Sequence, residues 1–420
     1  MLLGLDPADL ATAGIAVAAI AGVIVRPWRV PEAVWAIAGA TALVAMSLLP
    51  VGEAMRGVAD GTDVYLFLTG MMLLAELARA EGVFDWLAAW AVRWADGSAT
   101  RLFAAVYGVG TIVTVFLSND ATAVVLTPAV AAAMRAAQAA APLPYVLACA
   151  FVANAASFVL PISNPANLVV FGSHMPALGT WVARFAVASA GAIAATYMVL
   201  RLTQRGALRQ EIARGMPTPT LCAGGRTAAA GIVGAALAMM AASARGVQLG
   251  WPTFGAGLVT VAVVLAWNRQ APWRMLGDIS WSVLPLVAGL FVLVRALERI
   301  GLLTALAHGL AALTARSEVA ASWGGATILA IVCNLTNNLP AGLIAGGVVR
   351  AAQAPIRVTS AALVGIDIGP NLSITGSLAT ILWLSALRRE GIAVSGWAFL
   401  RVGALAMPAA LLAALLLLPS

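Results

Sequence analysis

The chain has 420 residues, 62% of them hydrophobic and only 10% charged, with a mean hydropathy of +0.96. A soluble domain needs more charge than this to cover its exterior, so lipid is the expected solvent and an all-helical polytopic membrane protein the expected class. The formal charge is +7 and all 24 basic residues are arginine; lying in short loops between apolar runs, they read as topology signals and not as a nucleic-acid face.

At the N-terminus no basic region or small-residue cleavage site accompanies the first apolar run, so that run is expected to be retained. A membrane span takes about 20 apolar residues, and spans are expected at 8–26, 32–50, 64–80, 143–172, 178–202, 227–245, 251–268, 281–299, 358–387 and 394–418. The stretches 101–137 and 323–352 are each interrupted near the middle by polar residues and Gly or Pro. They read as helical hairpins that enter the membrane and turn back. Trp28, Trp35, Trp181, Trp251, Trp267 and Trp281 mark segment ends, where an indole ring prefers the headgroup level. The loop 201–226 carries Arg201, Arg205, Arg209, Arg214 and Arg226 against Glu211, and is expected in the cytoplasm. Counting spans outward puts Arg26, Arg29, Arg269, Arg274, Arg388 and Arg389 on the same side. Glu53, Asp60, Asp63 and both termini then fall outside.

The chain repeats itself. GMMLLAELARAEG begins at Gly70 and GLFVLVRALERIG at Gly289, an offset of 219. LSND at 117–120 matches LTNN at 335–338, and PIS at 161–163 matches SIT at 373–375. Five spans and one hairpin per half make an odd number of crossings, so the second half must be inverted. The expected organisation is a first inverted repeat over 1–200, an Arg-rich linker over 201–226 and a second repeat over 227–420. Inverted repeats with paired broken helices point to a secondary transporter whose site lies where the halves meet. Glu76 and Arg295 hold equivalent positions and could pair across the halves, or equally sit at the membrane interface.

Two constellations carry chemistry. Ser118-Asn119-Asp120 and Thr336-Asn337-Asn338 sit at the expected hairpin tips, where free N–H groups and side-chain oxygens can cradle a small polar solute. The competing reading is plain helix capping, and the matched pair of triplets weighs against it. The runs Asn154 to Asn167 and Asp367 to Ser377 combine prolines with Ser, Thr and Asn, and should unwind in mid-membrane. Asp120 and Asp367 are the acids expected within the hydrocarbon. A charge there is costly and is functional by default, so one or both are expected to exchange a proton, with Na⁺ coordination as the competing role.

These motifs resemble those of the bacterial arsenite and antimonite efflux permeases (the ArsB type) of the ion transporter superfamily. The resemblance is carried by SNDATAVVLTP at 118–128, NAASFVLPISNPANLVV at 154–170, TNNLPAGLIAG at 336–346 and GIDIGPNLSITGSLATILW at 365–383, and runs along essentially the whole chain. The tip pattern implies substrate binding by Ser118, Asn119, Thr336 and Asn337. The arsenite-type strings add Ser163, Asn164, Asn371, Thr375 and Ser377. Symporters of the superfamily usually end both tips in Thr; here Asp120 and Asn338 replace it, which tells against sodium-coupled dicarboxylate uptake. The resemblance implies export of As(OH)₃ or Sb(OH)₃ against protons, in some members with a cytoplasmic arsenite-stimulated ATPase. A neutral trihydroxide offers only hydroxyls, which Asn, Ser, Thr and backbone groups satisfy without a counter-charge, and the expected site holds no Arg.

The three cysteines, Cys149, Cys222 and Cys333, are too few and scattered for a disulfide framework. Cys333 lies four residues before Asn337, within reach as a thiol ligand for arsenic. Burial as a small hydrophobe is the commoner fate of such thiols, and a three-thiolate site would hold substrate too tightly to release it. His174 and His308 are isolated near span ends and take no role. No metal cluster, nucleotide loop or nucleophile–base pair appears, so neither enzyme activity nor a cofactor is expected. The alternatives are a sodium/proton antiporter or dicarboxylate/sodium symporter of the same superfamily and, from another class, a channel or a scaffold subunit of a membrane complex.

Overall fold

The structure is a computed structural model that describes residues 6–214 and 220–419, so residues 215–219 of the expected linker lie outside the described residues. The first half of the chain forms α1 (Pro7–Val25), α2 (Glu32–Ala45), α3 (Val51–Asp60), α4 (Thr62–Ala80) and α5 (Val83–Ala95). It continues with α6 (Ala99–Phe116), α7 (Thr127–Ala136), α8 (Leu143–Ala155), α9 (Pro165–Phe171) and α10 (Leu178–Thr203). The second half gives α11 (Ala223–Ala244), α12 (Gly250–Asn268), α13 (Trp273–Asp278), α14 (Val283–Arg299) and α15 (Leu302–Arg316). Then come α16 (Glu318–Thr336), α17 (Asn338–Ala351), α18 (Ile356–Ile368), α19 (Leu378–Arg389) and α20 (Gly396–Leu417). Among the described residues the only extended pairing is an isolated bridge between Ser98 and Glu211. The molecule is thus the all-helical polytopic membrane protein that its composition demands.

Helix starts follow capping chemistry. Asp6 accepts a hydrogen bond from the Ala8 amide with Pro7 at the first helical position, and Ser98, Ser317, Ser377 and Ser395 cap α6, α16, α19 and α20 in the same manner. Seven helices (α1, α6, α10, α11, α12, α16 and α20) are each long and apolar enough to cross a membrane, and α3 with α4 forms an eighth candidate bent by 45°. α6 and α16, however, are arms of hairpins. Gly97 at the start of α6 and Ala137 at the end of α7 both accept backbone bonds from the 212–213 segment, which brings the two ends to one face. The Thr114 and Thr122 hydroxyls, 2.8 Å apart, close the turn deep inside. The expected spans 143–172 and 358–387 are each broken, α8 from α9 by 156–164 and α18 from α19 by 369–377. The short helices α3, α5, α13 and α15 are absent from the sequence expectation, which looked only for apolar runs long enough to span.

Packing joins the two halves crosswise. α4 crosses α12 so closely that a Cβ on Gly70 would fall on the Thr253 carbonyl; α14 crosses α2 with Gly289, where a Cβ would lie 2.8 Å from the Ala36 carbonyl carbon. The side-chain bonds between distant residues sort into two bodies. One contains α1–α4 and α11–α14: Arg79 pairs with Asp278 at 2.7 Å, Asp63 accepts from the Gly250 amide at 2.8 Å, and Arg295 Nε donates to Glu53 at 3.0 Å. The other contains α5–α10 and α15–α20. There Asn154 donates to Asn371 at 3.0 Å, Trp383 Nε1 to the Val146 carbonyl at 3.0 Å, and Arg135 pairs with Glu390 at 2.6 Å. The chain passes from the first body to the second at Gly82 (φ 72°) and Gly301 (φ 78°), both in the left-handed region that favours glycine. Their numbers differ by the repeat offset of 219.

Candidate functional site

The two hairpin tips are built differently. At the first, Ser118 Oγ accepts from the Ala121 amide at 3.1 Å and Asn119 Oδ1 from the Asp120 amide at 2.9 Å. The next turn is a π-helix over Ala121–Leu126. Pro128 lacks the N–H that would bond four residues back, and the Thr127 hydroxyl instead donates to the Thr122 carbonyl at 3.1 Å. At the second tip Asn337 adopts φ 71° and ψ 154°, a conformation costly for any residue with a side chain. Its Oδ1 accepts from the Leu339 amide at 3.3 Å. The Thr336 hydroxyl is spent on the Val332 and Asn337 carbonyls, at 3.0 and 3.3 Å.

The broken helices meet behind the tips in a buried polar network. Asn164 caps α9 by accepting from the Ala166 amide, and its Nδ2 donates to Asp367 Oδ1 at 2.7 Å. Asp367 is wholly buried; its Oδ2 makes no hydrogen bond within the protein, nor does Asn167 Oδ1. Asn371 accepts from Asn154 and donates to the Phe151 carbonyl at 3.1 Å; Ser377 bonds Thr380 and Asn154. Ser163 Oγ donates to the Val115 carbonyl at 3.0 Å and accepts from the Leu160 amide, while Thr375 donates to the Asn334 carbonyl at 3.0 Å.

A cavity of about 480 Å³ runs from one face of the molecule to the first tip. Its lining includes Ser118 and Asp120 at the tip together with Glu76, Arg79, Asp278, Arg389 and Glu390. Arg79 is held between Glu76 and Asp278. Asp120 also lines a much smaller cleft with Asn119, Asn164, Asn338 and Leu378, where both tips and both broken helices converge.

The structure therefore brings together Ser118, Asn119, Asp120 and Asn164 at the cavities, with Asp367 directly behind Asn164. Asn337 lines a separate small cleft beside Leu339 and Pro340. Ser163, Thr336, Asn371, Thr375 and Ser377 are turned to internal bonds that fix the tips and breaks. Asn154, Ser157 and Asn167, within the first run expected to unwind, complete the network with Thr380 and Asn334, which lie outside both runs and were passed over; Asn338 of the second tip lines the convergence cleft. The convergence cleft has no Arg, whereas the larger cavity carries Arg79 and Arg389. Glu76 and Arg295 do not pair: Glu76 binds Arg79, while Arg295 binds Glu53 and Glu298 near the opposite end of α14. Cys149 and Cys333 are fully buried and line none of these cavities. Among the described residues no group of three or more His, Cys, Asp or Glu could hold a metal ion.

The chain is 26% identical over 356 residues to the arsenical pump membrane protein of Yersinia enterocolitica, covering 79% of this chain and 80% of the relative. The arsenical pump membrane protein of Escherichia coli is 26% identical over 350 residues, with the same coverage. An uncharacterized transporter of Mycobacterium tuberculosis is 26% identical over 401 residues, covering 91% of this chain and 92% of its own. The crystal structure of the Alcanivorax borkumensis YdaH transporter shares the fold, with a TM-score of 0.53 over 87% of this chain and 86% of that one, at 16% identity. A family model described as CitMHS, citrate transporter, matches residues 16–367. The arsenical-pump relatives agree with the resemblance carried by the tip and broken-helix motifs. By that match the chain belongs to the citrate transporter (CitMHS) family, and it is a multi-pass transporter of the bacterial inner membrane.

Proposed function

We propose that this transporter exports neutral trihydroxides, As(OH)₃ and Sb(OH)₃, from the cytoplasm in exchange for protons. The observation that carries the reading is the convergence cleft, where Asn119, Asp120, Asn164 and Asn338 meet without a cation. Amides and a carboxyl can donate to and accept from hydroxyl groups on all sides, whereas a multiply charged anion would find no counter-charge. The arsenical-pump relatives support the same substrate class.

In this reading Ser118, Asn119 and Asn164 bind substrate directly, and Asn337 completes the second tip. Thr336, Ser163, Asn371, Thr375 and Ser377 hold the backbone that forms the site. Asp120, facing the cavity, and Asp367, bonded to Asn164, carry the proton. Substrate and proton thus share one element, the Asn164 amide, so occupancy of one is felt by the other. The repeats, 1–200 and 227–420 about the linker 201–226, are inverted, and the body bearing hairpins and broken helices moves against the other about Gly82 and Gly301. The cavity then is the cytoplasmic entrance: Glu390 of its lining pairs with Arg135 near the end of α7, and Ala137 there accepts from the Ala213 amide of the Arg-rich segment.

Everted membrane vesicles holding the protein test this. Arsenite should accumulate under an imposed proton gradient, stop when the gradient is collapsed, and fail with Asp120→Asn. Sodium-dependent proton movement, or succinate or citrate uptake, in vesicles that do not accumulate arsenite would overturn the substrate assignment and leave the fold standing.

A further inference from the structure

We propose that α5 is a binding site for an anionic phospholipid of the cytoplasmic leaflet, gripped by a tryptophan stripe and by arginines gathered at its C-terminal turn. α5 leads from the first body to the first hairpin, bounded by left-handed residues at Gly82 before it and at Asp96 (φ 42°) and Gly97 (φ 83°) after it. One face is packed through Phe84, Ala88, Ala91, Val92 and Ala95. The other presents Trp86, Trp90 and Trp94 at helical spacing, with Trp90 44% and Trp94 51% exposed.

Packing does not require this stripe, and the repeat supplies the internal control. The counterpart α15 makes the same passage from the first body to the second hairpin. At the offset of 219 its residues are Ala305, Gly309 and Leu313. With the halves inverted as proposed, the indoles belong to one face of the membrane only, and such rings prefer the headgroup level.

Charge selects the occupant. Arg214 lies across the turn after α5: its Nε stands 2.6 Å from where a Cβ on Gly97 would be, and the Ile212 amide donates to the Gly97 carbonyl at 3.5 Å. Arg101, exposed in the first turn of α6, flanks the same turn. Around this turn Arg93, Arg101 and Arg214 stand against Asp96 and Glu211, and Arg201, Arg205 and Arg209 lie a few residues before Glu211 in the chain. A net positive surface beside a row of indoles fits a phosphodiester on a diacyl lipid, with ring contact to the acyl boundary and guanidinium contact to the phosphate. The cytoplasmic placement rests on the charge reading of the 201–226 segment; the binding itself is independent of which solute is carried.

The test uses delipidated full-length protein in detergent, titrated with phosphatidylglycerol, with phosphatidylcholine, and with inorganic phosphate. Bound lipid is read by native mass spectrometry and the unfolding midpoint by a thermal scan. Phosphatidylglycerol should bind saturably and raise the midpoint, and phosphatidylcholine should do so far more weakly. Arg101→Gln and Arg214→Gln should each weaken phosphatidylglycerol by about fivefold, the effect of one arginine beside an anionic surface. Trp90→Ala with Trp94→Ala should weaken both lipids, whereas Leu313→Trp on α15 should add no site. Should a variant unfold early without lipid, the single exposed Arg101→Gln decides. Equal binding of the two lipids, unchanged phosphatidylglycerol binding in the arginine variants, or displacement of the lipid by inorganic phosphate would each overturn the proposal.

Discussion

Replacing Asp367 by Asn separates the proposed proton carrier from a structural carboxyl. Asp367 is wholly buried, receives a 2.7 Å hydrogen bond from Asn164 on Oδ1, and has no such partner on Oδ2. An isosteric amide keeps the bond from Asn164 on its oxygen, sets an amide nitrogen where the unpartnered Oδ2 stood, and removes the ionisable group. One unpartnered buried polar atom replaces another and no buried charge can form, so the substitution should leave the unfolding midpoint unchanged or raise it. Asn164→Ala does the opposite: it strips the carboxyl of that donor and removes the cap of α9, and should destabilise by about 2–4 kcal/mol from the two losses together. The paired readout is thermal unfolding in detergent and proton-driven arsenite uptake in everted vesicles. Asp367→Asn should be at least as stable as the parent and inactive in coupled uptake. A clearly destabilised Asp367→Asn would make the carboxyl a structural anchor. A stable variant with normal gradient-dependent uptake would remove Asp367 from the coupling path and leave Asp120 alone.

Other consequences are open to direct test. Gly70→Ala and Gly289→Ala set a methyl against helix backbone, at Thr253 and Ala36, that cannot turn aside; each should lower stability by about 1–3 kcal/mol in a detergent unfolding assay. Gly82→Ala and Gly301→Ala meet open space, so only the left-handed backbone is penalised, by about 1–2 kcal/mol and equally at the two sites. Unequal losses there would speak against equivalent hinges. Cys149→Ala and Cys333→Ala should keep gradient-driven arsenite uptake, because neither thiol reaches the cavities; abolished uptake in a variant that still folds would restore a thiolate role.

Several features were legible in the amino-acid sequence because they depend on local or additive properties. Solvent class follows from summed hydropathy, the hairpin tips from polar triplets in apolar runs, and the breaks at 156–164 and 369–377 from prolines set among clustered Ser, Thr and Asn. The repeat offset pairs Gly82 with Gly301. What the sequence left open are relations between residues far apart in it. Ser118 and Asn164 reach the cavities while Ser163, one residue from Asn164, braces a carbonyl; a helix break sends adjacent side chains in unrelated directions. Glu76 and Arg295 are equivalent in number yet bind different partners, Arg79 for the one and Glu53 with Glu298 for the other. The short helices α3, α5, α13 and α15 escaped notice because, at 10, 13, 6 and 15 residues, each falls short of a membrane span. Composition and motif thus decided that the chain spans the membrane and where its helices fail. Packing in three dimensions decided which of the polar groups at those failures face a solute and which hold the backbone around it.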